Sequence, residues 1–497
     1  MFFEDLLSFA TASTDIQSES STRYIDSALA NVKQACELLS LELPSIVSYP
    51  GSTAYEAALH SYFSAQEQAL LPACIVAPTT SAEVSFIVKT LAQLRVPFAI
   101  RGGGHNLNAG AANIASGITI NLRSMNQVTV NAEKTLVSIG GGARWGEVYP
   151  VLDAQKMATS CGRVSDVGVG GLSTGGGISY FSGRKGLVCD NIVNYEVVIA
   201  SGAVINANKL ENRDLWHALK GGSSNFGVVT RLDISTFPQD KFYGGVVVAD
   251  YSTLNSQLEG FSNLLANFDP HAALMISISW SASKGYFIFD NVEYTKDITD
   301  PPIMMPFTQA SPQFMNTMRI SDVSDFATEA SQFASAGLRT QFATTTFGGP
   351  LSMLTTVQQI WSNSISTIAS ISGINWAMTI QPWPHPFEAQ GSGNSLGLSS
   401  SDGPLTLFLL SYSWDLASDD EAATTAAQKL IAAIDAATQK AGHYHSFKYL
   451  NYAAYWQDPI AGYGAENVRK LKAMAMKYDP AGSFQIGCPG GFKILRS

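Results

Sequence analysis

The segment Arg101-Gly-Gly-Gly-His105-Asn106 is the feature that most limits what this chain can fold into. It follows a strand-like stretch, residues 96–100, so a strand must end in a turn that carries almost no side chains. Consecutive glycines let a backbone approach a bulky polyanion and point its N–H groups at phosphate oxygens. An imidazole directly after that turn would lie beside the bound molecule. We therefore interpret residues 101–106 as a phosphate-binding loop that ends in a reactive histidine.

Two further glycine-rich stretches follow the first, at residues 140–142 and 167–177, and each lies close to a strand-like segment. The glycine spacing in the first loop is not that of a dinucleotide-binding βαβ unit, and the lysine of a P-loop is absent. We therefore do not expect NAD or ATP held in those ways. A set of tight turns in a β-rich domain remains the alternative interpretation.

Length and charge exclude several classes of protein. A chain of 497 residues predicts two domains rather than one small core. The formal net charge of −10 argues against a basic face for nucleic acid. No apolar run reaches the roughly 18–20 residues of a membrane-spanning helix. No two of the cysteines have the close spacing of a zinc site. We expect no nucleic acid partner, no membrane span and no metal.

The sequence leaves the cellular compartment open. Residues 1–20 contain early acidic residues and no basic flank, so they make a poor signal peptide. Cys36, at the end of a helical stretch, and Cys74, at the start of a strand, are candidates for a disulfide that would imply an oxidising compartment. The alternative is that all the cysteines are buried thiols.

The pattern of glycine loops, strands and helical stretches changes near residue 240. Glycine loops become rare from there to residue 444, and long strands alternate with helical stretches, which predicts an antiparallel sheet with helices on one face. Turn-rich sequence returns after residue 445. We expect one domain from residues 1–239 and 445–497, a second domain from residues 240–444, and an α+β fold overall. Residues 81–94 have helical periodicity, with Ser81 as the expected cap.

The glycine loops and the C-terminal tail resemble one family. The motifs stand in the same order and at similar spacing, and they are Arg101-Gly-Gly-Gly-His105-Asn106, Gly140-Gly-Gly-Ala-Arg-Trp145-Gly, Val167-Gly-Val-Gly-Gly171, Gly222-Ser-Ser-Asn-Phe-Gly-Val-Val229 and Tyr449-Leu-Asn451-Tyr452. The chain resembles the berberine bridge enzyme-like FAD-linked oxidases of the vanillyl-alcohol oxidase/p-cresol methylhydroxylase (PCMH) superfamily, and its fungal members in particular. The resemblance implies a PCMH-type FAD-binding domain of two subdomains, with its core at about residues 70–239. It also implies a substrate domain whose antiparallel sheet is flanked by helices.

The resemblance implies a covalent flavoprotein. In this family the histidine of the first loop is bonded to the 8α-methyl carbon of the flavin, and that residue is His105 here. Many relatives form a second bond through a cysteine three residues before the Val-Gly-Val-Gly-Gly motif, but this chain has Val164 there. Cys161 lies three residues earlier, an offset of about 10 Å in an extended chain. We therefore expect a single link and interpret Cys161 as a packed thiol.

The residues that the resemblance assigns to the FAD site come from the glycine loops, the segments beside them and the tail. They are Arg101, Gly102, Gly103, Gly104, His105, Asn106, Gly162, Val164, Val167, Gly168, Gly170, Gly171, Leu172, Gly175, Gly176, Tyr180, Gly227, Val229 and Asn451. Val167 stands where the family controls the access of oxygen to the flavin, and valine there is typical of members that react with dioxygen.

The resemblance also indicates the chemistry. Tyr449 and Asn451 are the expected catalytic pair, with Tyr449 as general base, and Gln381, Trp383 and Tyr412 are the expected substrate-pocket residues. We expect hydride transfer from a small aromatic or polycyclic secondary metabolite to FAD, with O2 as acceptor and hydrogen peroxide as product. Two alternatives stay open: an oligosaccharide oxidase, and a cyclase of another class in which FAD has no redox role.

Overall fold

The computed structural model of the chain describes residues 16–383 and 393–497, and for residues 16–28 and 400 it describes the backbone alone. The first fifteen residues lie outside the described residues, and they include most of the segment 1–20 that makes a poor signal peptide. The helices are α1 Ile16–Glu42, α2 Thr53–Leu59, α3 Ala65–Gln68, α4 Ser81–Leu94, α5 Trp145–Asp153, α6 Val169–Thr174, α7 Ser182–Lys185, α8 Arg213–Leu219, α9 Leu254–Ala266, α10 Met305–Thr308, α11 Val323–Gln332, α12 Leu351–Ile368, α13 Asp420–Lys440 and α14 Ala465–Tyr478.

The strands form three sheets within the described part of the chain. They are β1 Val47–Ser48, β2 Cys74–Val76, β3 Phe98–Arg101, β4 Ile118–Asn121, β5 Val128–Val130, β6 Leu136–Gly140, β7 Met157–Thr159, β8 Ile192–Val198, β9 Val204–Asn208, β10 Val228–Pro238, β11 Phe242–Asp250, β12 Ala272–Ser281, β13 Gly285–Tyr294, β14 Gln313–Asn316, β15 Arg319–Ser321, β16 Arg339–Phe347, β17 Asn375–Pro382, β18 Thr406–Trp414 and β19 Tyr444–His445.

The first sheet is small and contains the parallel strands. Its order is β1-β2-β4-β3, with β2 and β3 both parallel to β4. Apolar side chains of α4, among them Val84, Ile87 and Leu91, share one buried cluster with Val76 and Ile118. Helix α4 is capped by Thr80, whose hydroxyl accepts the N–H of Glu83, so the cap lies one residue before the expected Ser81. Strand β3 ends at Arg101 and delivers the first glycine loop to the edge of this sheet.

A disulfide between Cys36 and Cys74 joins helix α1 to strand β2. The remaining cysteines, Cys161, Cys189 and Cys488, are buried free thiols. The bond fixes the first long helix on the first sheet across 38 residues of chain.

The second sheet is antiparallel and lies against the first. Its order is β5-β6-β10-β8-β9, and β7 also pairs with β10. The second glycine loop ends β6, and the third follows β7. The C-terminal tail packs on this part of the molecule, since Tyr478 donates a 2.8 Å hydrogen bond to Asp214 and Asn225 donates one of 2.9 Å to the carbonyl of Phe492.

The third sheet is antiparallel throughout and has the order β14-β11-β13-β12-β17-β18-β16-β19, with β15 paired to β11. The alternation of side chains along its strands gives it two different faces. Ile276, Ile288 and Leu410 lie on one face and form a core with α9, α12 and α13. Met275, Phe289 and Leu409 lie on the other face and look toward the glycine loops. The α+β prediction, with an antiparallel sheet and helices on one of its faces, is confirmed.

Candidate active site

A cavity of about 470 Å³ separates the three glycine loops from the open face of the third sheet. Most of the residues assigned to the FAD site line it. These are Gly102, Gly103, Gly104, His105, Asn106, Val164, Val167, Gly168, Gly170, Gly171, Leu172, Tyr180, Gly227, Val229 and Asn451. The three loops, which are far apart in the sequence, therefore meet on one wall of one cavity.

Glycine is required where the first and third loops cross. A Cβ atom on Gly103 would lie 2.4 Å from the Cα of Gly168, so neither position has room for a side chain. Gly104 has a φ of +77°, in the left-handed region that favours glycine. Arg144 holds the loop from outside, because its guanidinium donates to the carbonyl of Gly103 at 2.9 Å. At Gly171 a Cβ would meet no atom within 4 Å, so this wall is open toward the cavity.

His105 stands on the cavity wall where the first loop ends. Its ring stacks on that of Phe63, with centroids 4.0 Å apart and an angle of 22° between the planes. Nε2 is buried and has no hydrogen-bond partner among the described residues. Burial, with a smaller contribution from the charge of Arg144, lowers the pKa of His105 to about 4. The imidazole is therefore neutral at physiological pH, with a nitrogen lone pair available.

The cavity wall fits a flavin dinucleotide. At Gly102, Gly168 and Gly171 the wall consists of backbone without side chains, so a polyanion can approach it closely. His105 presents an unpartnered nitrogen beside this part of the wall. The described lining contains no acidic side chain that would repel a pyrophosphate. Within the described residues no cluster of three or more potential metal ligands occurs, and no helix is long and apolar enough to cross a membrane.

The tail places Tyr449 and Asn451 against the third glycine loop. The hydroxyl oxygen of Tyr449 accepts the backbone N–H groups of Gly177 and Ile178 at 3.0 and 3.1 Å, and the amide of Asn451 at 3.0 Å. The side-chain amide of Asn451 also donates to the carbonyl of Leu172 at 3.0 Å. Burial raises the pKa of Tyr449 far above its usual value, against the opposing effect of these donors. The Tyr449 hydroxyl thus points into backbone, and the pair fixes the tail to the loop.

Arg163 connects the third glycine loop region, the third sheet and the tail at the cavity. Its guanidinium donates to the hydroxyl oxygen of Tyr452 at 2.8 Å and to the side-chain oxygen of Gln381 at 2.9 Å. Its backbone carbonyl accepts the hydroxyl of Tyr180 at 2.8 Å. Arg163 and Tyr452 both line the cavity, and Arg163 is the only residue with a formal charge in the described lining. Charge-assisted hydrogen bonds of this kind hold both partners in fixed positions.

Several predicted site residues are not among the residues that line the cavity. The side chain of Arg101 turns away and donates to the carbonyls of Ala58 and Ser61, where it lies over the ring of Tyr62. Gly162 packs against Trp145, while Gly175 and Gly176 pack against Asn451 and Leu396. These residues hold the loops in shape and do not form the lining.

The predicted substrate pocket also needs correction. Tyr412 packs among Trp376 and Trp414 in the core between the third sheet and its helices, because even-numbered residues of β18 face the helices. Trp383 lies behind Tyr449, with ring centroids 5.5 Å apart. Gln381 is not among the lining residues, but its side-chain oxygen accepts a hydrogen bond from Arg163, which lines the cavity. Prominent lining residues that the sequence interpretation missed are Phe63, Arg163, Phe289, Asn291, Phe342 and Tyr452. Of these, Tyr452 alone stood inside a recognised motif.

Cys161 is separated from the cavity. It is completely buried, with its sulfur 3.9 Å from the hydroxyl of Ser179, and burial raises the pKa of its thiol to about 12. Val164, three residues later, lines the cavity instead.

Comparison with known proteins agrees with this site. A family model described as an FAD binding domain matches residues 72–208. The FAD-dependent monooxygenase tpcD of Cochliobolus heterostrophus is 34% identical over 503 residues, which cover 95% of this chain and 96% of that protein. The crystal structure of 6-hydroxy-D-nicotine oxidase from Arthrobacter nicotinovorans matches with a TM-score of 0.75 at 20% identity, over 91% of this chain and 98% of that chain.

A second solved structure bears on the flavin. The glucooligosaccharide oxidase of Acremonium strictum, described with a 6-S-cysteinyl, 8α-N1-histidyl FAD, has a TM-score of 0.74 at 18% identity and covers 93% of this chain and 98% of its own. Fold, site and family model together define an FAD-dependent oxidoreductase. The chain belongs to the family of fungal FAD-dependent monooxygenases that includes tpcD, and it shares the fold of solved FAD-linked oxidases and of a berberine bridge enzyme-like protein. The family resemblance drawn from the motifs is confirmed.

Proposed function

We propose that this protein is an oxidase that takes a hydride from a small aromatic or polycyclic metabolite, carries FAD bonded to His105, and passes the electrons to O2. The observation that carries the proposal is the state of His105. Its imidazole is neutral, its Nε2 has no partner among the described residues, and it stands on the wall that the glycine loops form. A structural histidine in a protein interior ordinarily satisfies its ring nitrogens with hydrogen bonds.

The cavity wall formed by the three glycine loops, together with the C-terminal tail, would hold the cofactor. Gly102, Gly168 and Gly171 offer backbone to the pyrophosphate, and Asn451 would lie at the reacting edge of the ring system. Bound FAD supplies a hydride acceptor and, through its reaction with O2, the route to hydrogen peroxide. The link is single, because Cys161 is a buried thiol away from the cavity and the residue at the cavity wall is Val164.

Tyr452 is better placed than Tyr449 to act as general base. Both tyrosines line the cavity, but the Tyr449 hydroxyl oxygen accepts three N–H donors, whereas the Tyr452 hydroxyl oxygen accepts a hydrogen bond from Arg163. The Arg163 guanidinium fixes the position of the Tyr452 hydroxyl at the cavity, where a general base would have to stand. Tyr449 and Asn451 then act as positioning residues that fix the position of Tyr452 relative to the third glycine loop.

The lining favours an aromatic substrate. Phe289, Phe333 and Phe342 supply flat apolar surface on the side of the cavity opposite the glycine loops. Arg163 supplies the one positive charge, and Asn291 and Gln341 supply amides for orientation. A pocket of this kind binds a largely apolar ring system and orients it through a few polar contacts.

The first test is mass spectrometry of the denatured, proteolysed holoprotein. We expect one FAD on the peptide that contains His105 and none on the peptide that contains Cys161. The His105→Ala variant should bind FAD without a covalent bond, so that acid releases the FAD. If the purified protein carries no flavin, the redox assignment is wrong.

A second candidate function is the oxidation of carbohydrates. The amides of Asn108, Asn291 and Gln341 in the lining and the likeness to a glucooligosaccharide oxidase favour it. A peroxide-coupled screen of sugars against phenolic and polycyclic aromatics discriminates between the two substrate classes.

The name of the relative tpcD raises the question of oxygen insertion. Turnover under ¹⁸O₂ separates the outcomes, since an oxidase gives labelled hydrogen peroxide and a monooxygenase gives labelled product. Anaerobic addition of substrate also tests the non-redox cyclase, which would form product without bleaching the flavin.

A further inference from the structure

We infer that Phe63 is the positioning residue that orients His105 for attachment to the flavin. The inference rests on the proposed covalent link and names a residue for which neither the motifs nor the comparisons give a role. Phe63 lies about forty residues upstream of the glycine loop and reaches the cavity from a different segment.

Stacking adds to the local hydrogen bond that the His105 ring makes. A reactive imidazole is usually fixed by a hydrogen bond from another group to its second ring nitrogen. Here Nε2 is the unpartnered nitrogen available for attachment, the hydrogen bond that the ring makes is with the backbone of His105 itself, and the ring lies nearly parallel to that of Phe63, with centroids 4.0 Å apart. Aromatic contacts of this geometry restrict the rotation of both rings. Phe63 therefore determines which way the imidazole faces.

The backbone couples the two rings. The N–H of Phe63 donates to the carbonyl of Gly104 at 2.9 Å, and Gly104 immediately precedes His105. The glycines of the loop have no side chains with which to hold the imidazole. Phe63 thus fixes both the end of the loop and the ring that the loop carries.

The second domain holds Phe63 in turn. The N–H of Gly337 donates to the carbonyl of Phe63 at 2.7 Å, and the N–H of Ala65 donates to the carbonyl of Leu338 at 2.9 Å. The side-chain amide of Gln66 donates to the carbonyl of Thr340 at 3.0 Å. The orientation of His105 therefore depends on both domains being docked.

Attachment needs a neutral nitrogen at the correct place. It replaces one C–H bond of the 8α-methyl group by a C–N bond and removes the imidazole N–H proton. Two protons and two electrons leave in total, and dioxygen accepts them to give hydrogen peroxide. The low pKa of His105 supplies the neutral form, and the stack supplies the geometry.

The experiment compares Phe63→Leu with Phe63→Tyr, which keeps a ring, and with Phe333→Leu, the same change at another cavity phenylalanine. Total FAD per protein, the thermal midpoint and the share of FAD that stays with acid-precipitated protein are measured on purified holoprotein. We expect Phe63→Leu to bind FAD and keep its thermal midpoint, while acid releases most of the FAD. On incubation with FAD in air, its attachment rate should be about 10- to 100-fold below wild type. Phe63→Tyr and Phe333→Leu should remain tethered.

The outcomes separate the two claims. A fully tethered Phe63→Leu protein with the wild-type attachment rate overturns the role of Phe63 and leaves the proposed function intact. A Phe63→Leu protein without any FAD also overturns it, since Phe63 would then serve binding rather than orientation. If acid releases the FAD of the wild-type protein, the covalent link itself fails, and the role of Phe63 fails with it.

Discussion

The hydroxyl oxygen of Tyr452 lies 2.8 Å from a guanidinium nitrogen of Arg163, and both side chains face the cavity. Tyr452 comes from the C-terminal tail, whereas Arg163 precedes the third glycine loop. The contact brings a proton-accepting group and a fixed positive charge to the open side of the proposed flavin site. By contrast, the hydroxyl oxygen of the neighbouring Tyr449 accepts hydrogen bonds from the backbone N–H groups of Gly177 and Ile178.

Tyr452→Phe should slow flavin reduction by substrate about 10²- to 10⁴-fold, because the proton acceptor is lost. Its FAD content and thermal midpoint should stay close to wild type. Tyr449→Phe should instead lower stability by about 1–3 kcal/mol for each buried donor left without a partner. Anaerobic stopped-flow reduction and thermal unfolding measure the two effects. The assignment is wrong if Tyr449→Phe abolishes reduction while Tyr452→Phe retains it.

Val164→Cys should gain a second covalent bond to the flavin. Val164 lines the cavity, and a solved relative by fold has a 6-S-cysteinyl link in addition to its histidyl link. After proteolysis, a single FAD should join the peptide of residue 164 to the peptide of His105. Cys161→Ser is the matched control and should leave the number of links unchanged. A link through Cys161 in the wild-type protein would show that we have misplaced the register of this segment.

Val167→Leu should slow the reaction of reduced flavin with O2 by about 10-fold or more, because a longer side chain on the cavity wall obstructs a small diffusing molecule. Val167 lines the cavity, and its backbone is fixed by the N–H of Trp145, 3.0 Å from the Val167 carbonyl. The tenfold figure corresponds to about 1.4 kcal/mol in the barrier. Mixing anaerobically reduced protein with buffer of known oxygen content measures reoxidation. Equal rates for wild type and variant would remove Val167 from the control of oxygen access.

The contribution of Glu67 to stability should fall as the pH rises from about 4.5 to about 8, because burial raises the pKa of this carboxyl group from 4.5 to about 8. The folded protein then binds a proton that the unfolded chain has already lost in this window, so each unit of pH disfavours folding. The carboxylate oxygens of Glu67 accept the N–H groups of Gly110 and Ala112 at 3.2 and 2.7 Å, which only partly offsets burial.

Glu67→Gln should flatten this dependence of the thermal midpoint on pH, although it lowers the midpoint itself by placing an amide against two N–H donors. Glu293, whose pKa is also raised to about 8 by burial, will leave a residual slope. Glu259→Gln, an exposed change on α9, is the control and should reproduce the wild-type slope. An unchanged slope in Glu67→Gln would refute the assignment.

Glycine loops and the histidine after them were predictable because their chemistry is local. Strand endings, missing side chains and the position of His105 can all be recognised within one short segment. The error at Tyr412 has a different origin. Alternate residues of a strand point to opposite faces of the sheet, but this alternation does not indicate which face meets the cavity. In β18 the residue that lines the cavity is Leu409.

The direction of the Arg101 side chain could not be predicted, because its backbone belongs to the loop while its guanidinium donates to the carbonyls of Ala58 and Ser61. Phe63 and Arg163 were missed because their roles depend on contacts with segments far away in the sequence. No local pattern distinguishes a phenylalanine that stacks on His105 from one that fills a core. Tertiary structure is needed to identify such residues.

The cavity is closed by residues that are translated well after the glycine loops. Tyr452 and Asn451 come from the tail, and Phe63 is held by a hydrogen bond from the N–H of Gly337. A nascent chain therefore has its histidine long before it has a complete pocket. We expect flavin loading to wait until the tail has been synthesised, so a shortened chain that keeps every glycine loop but lacks residues 445–497 should remain colourless.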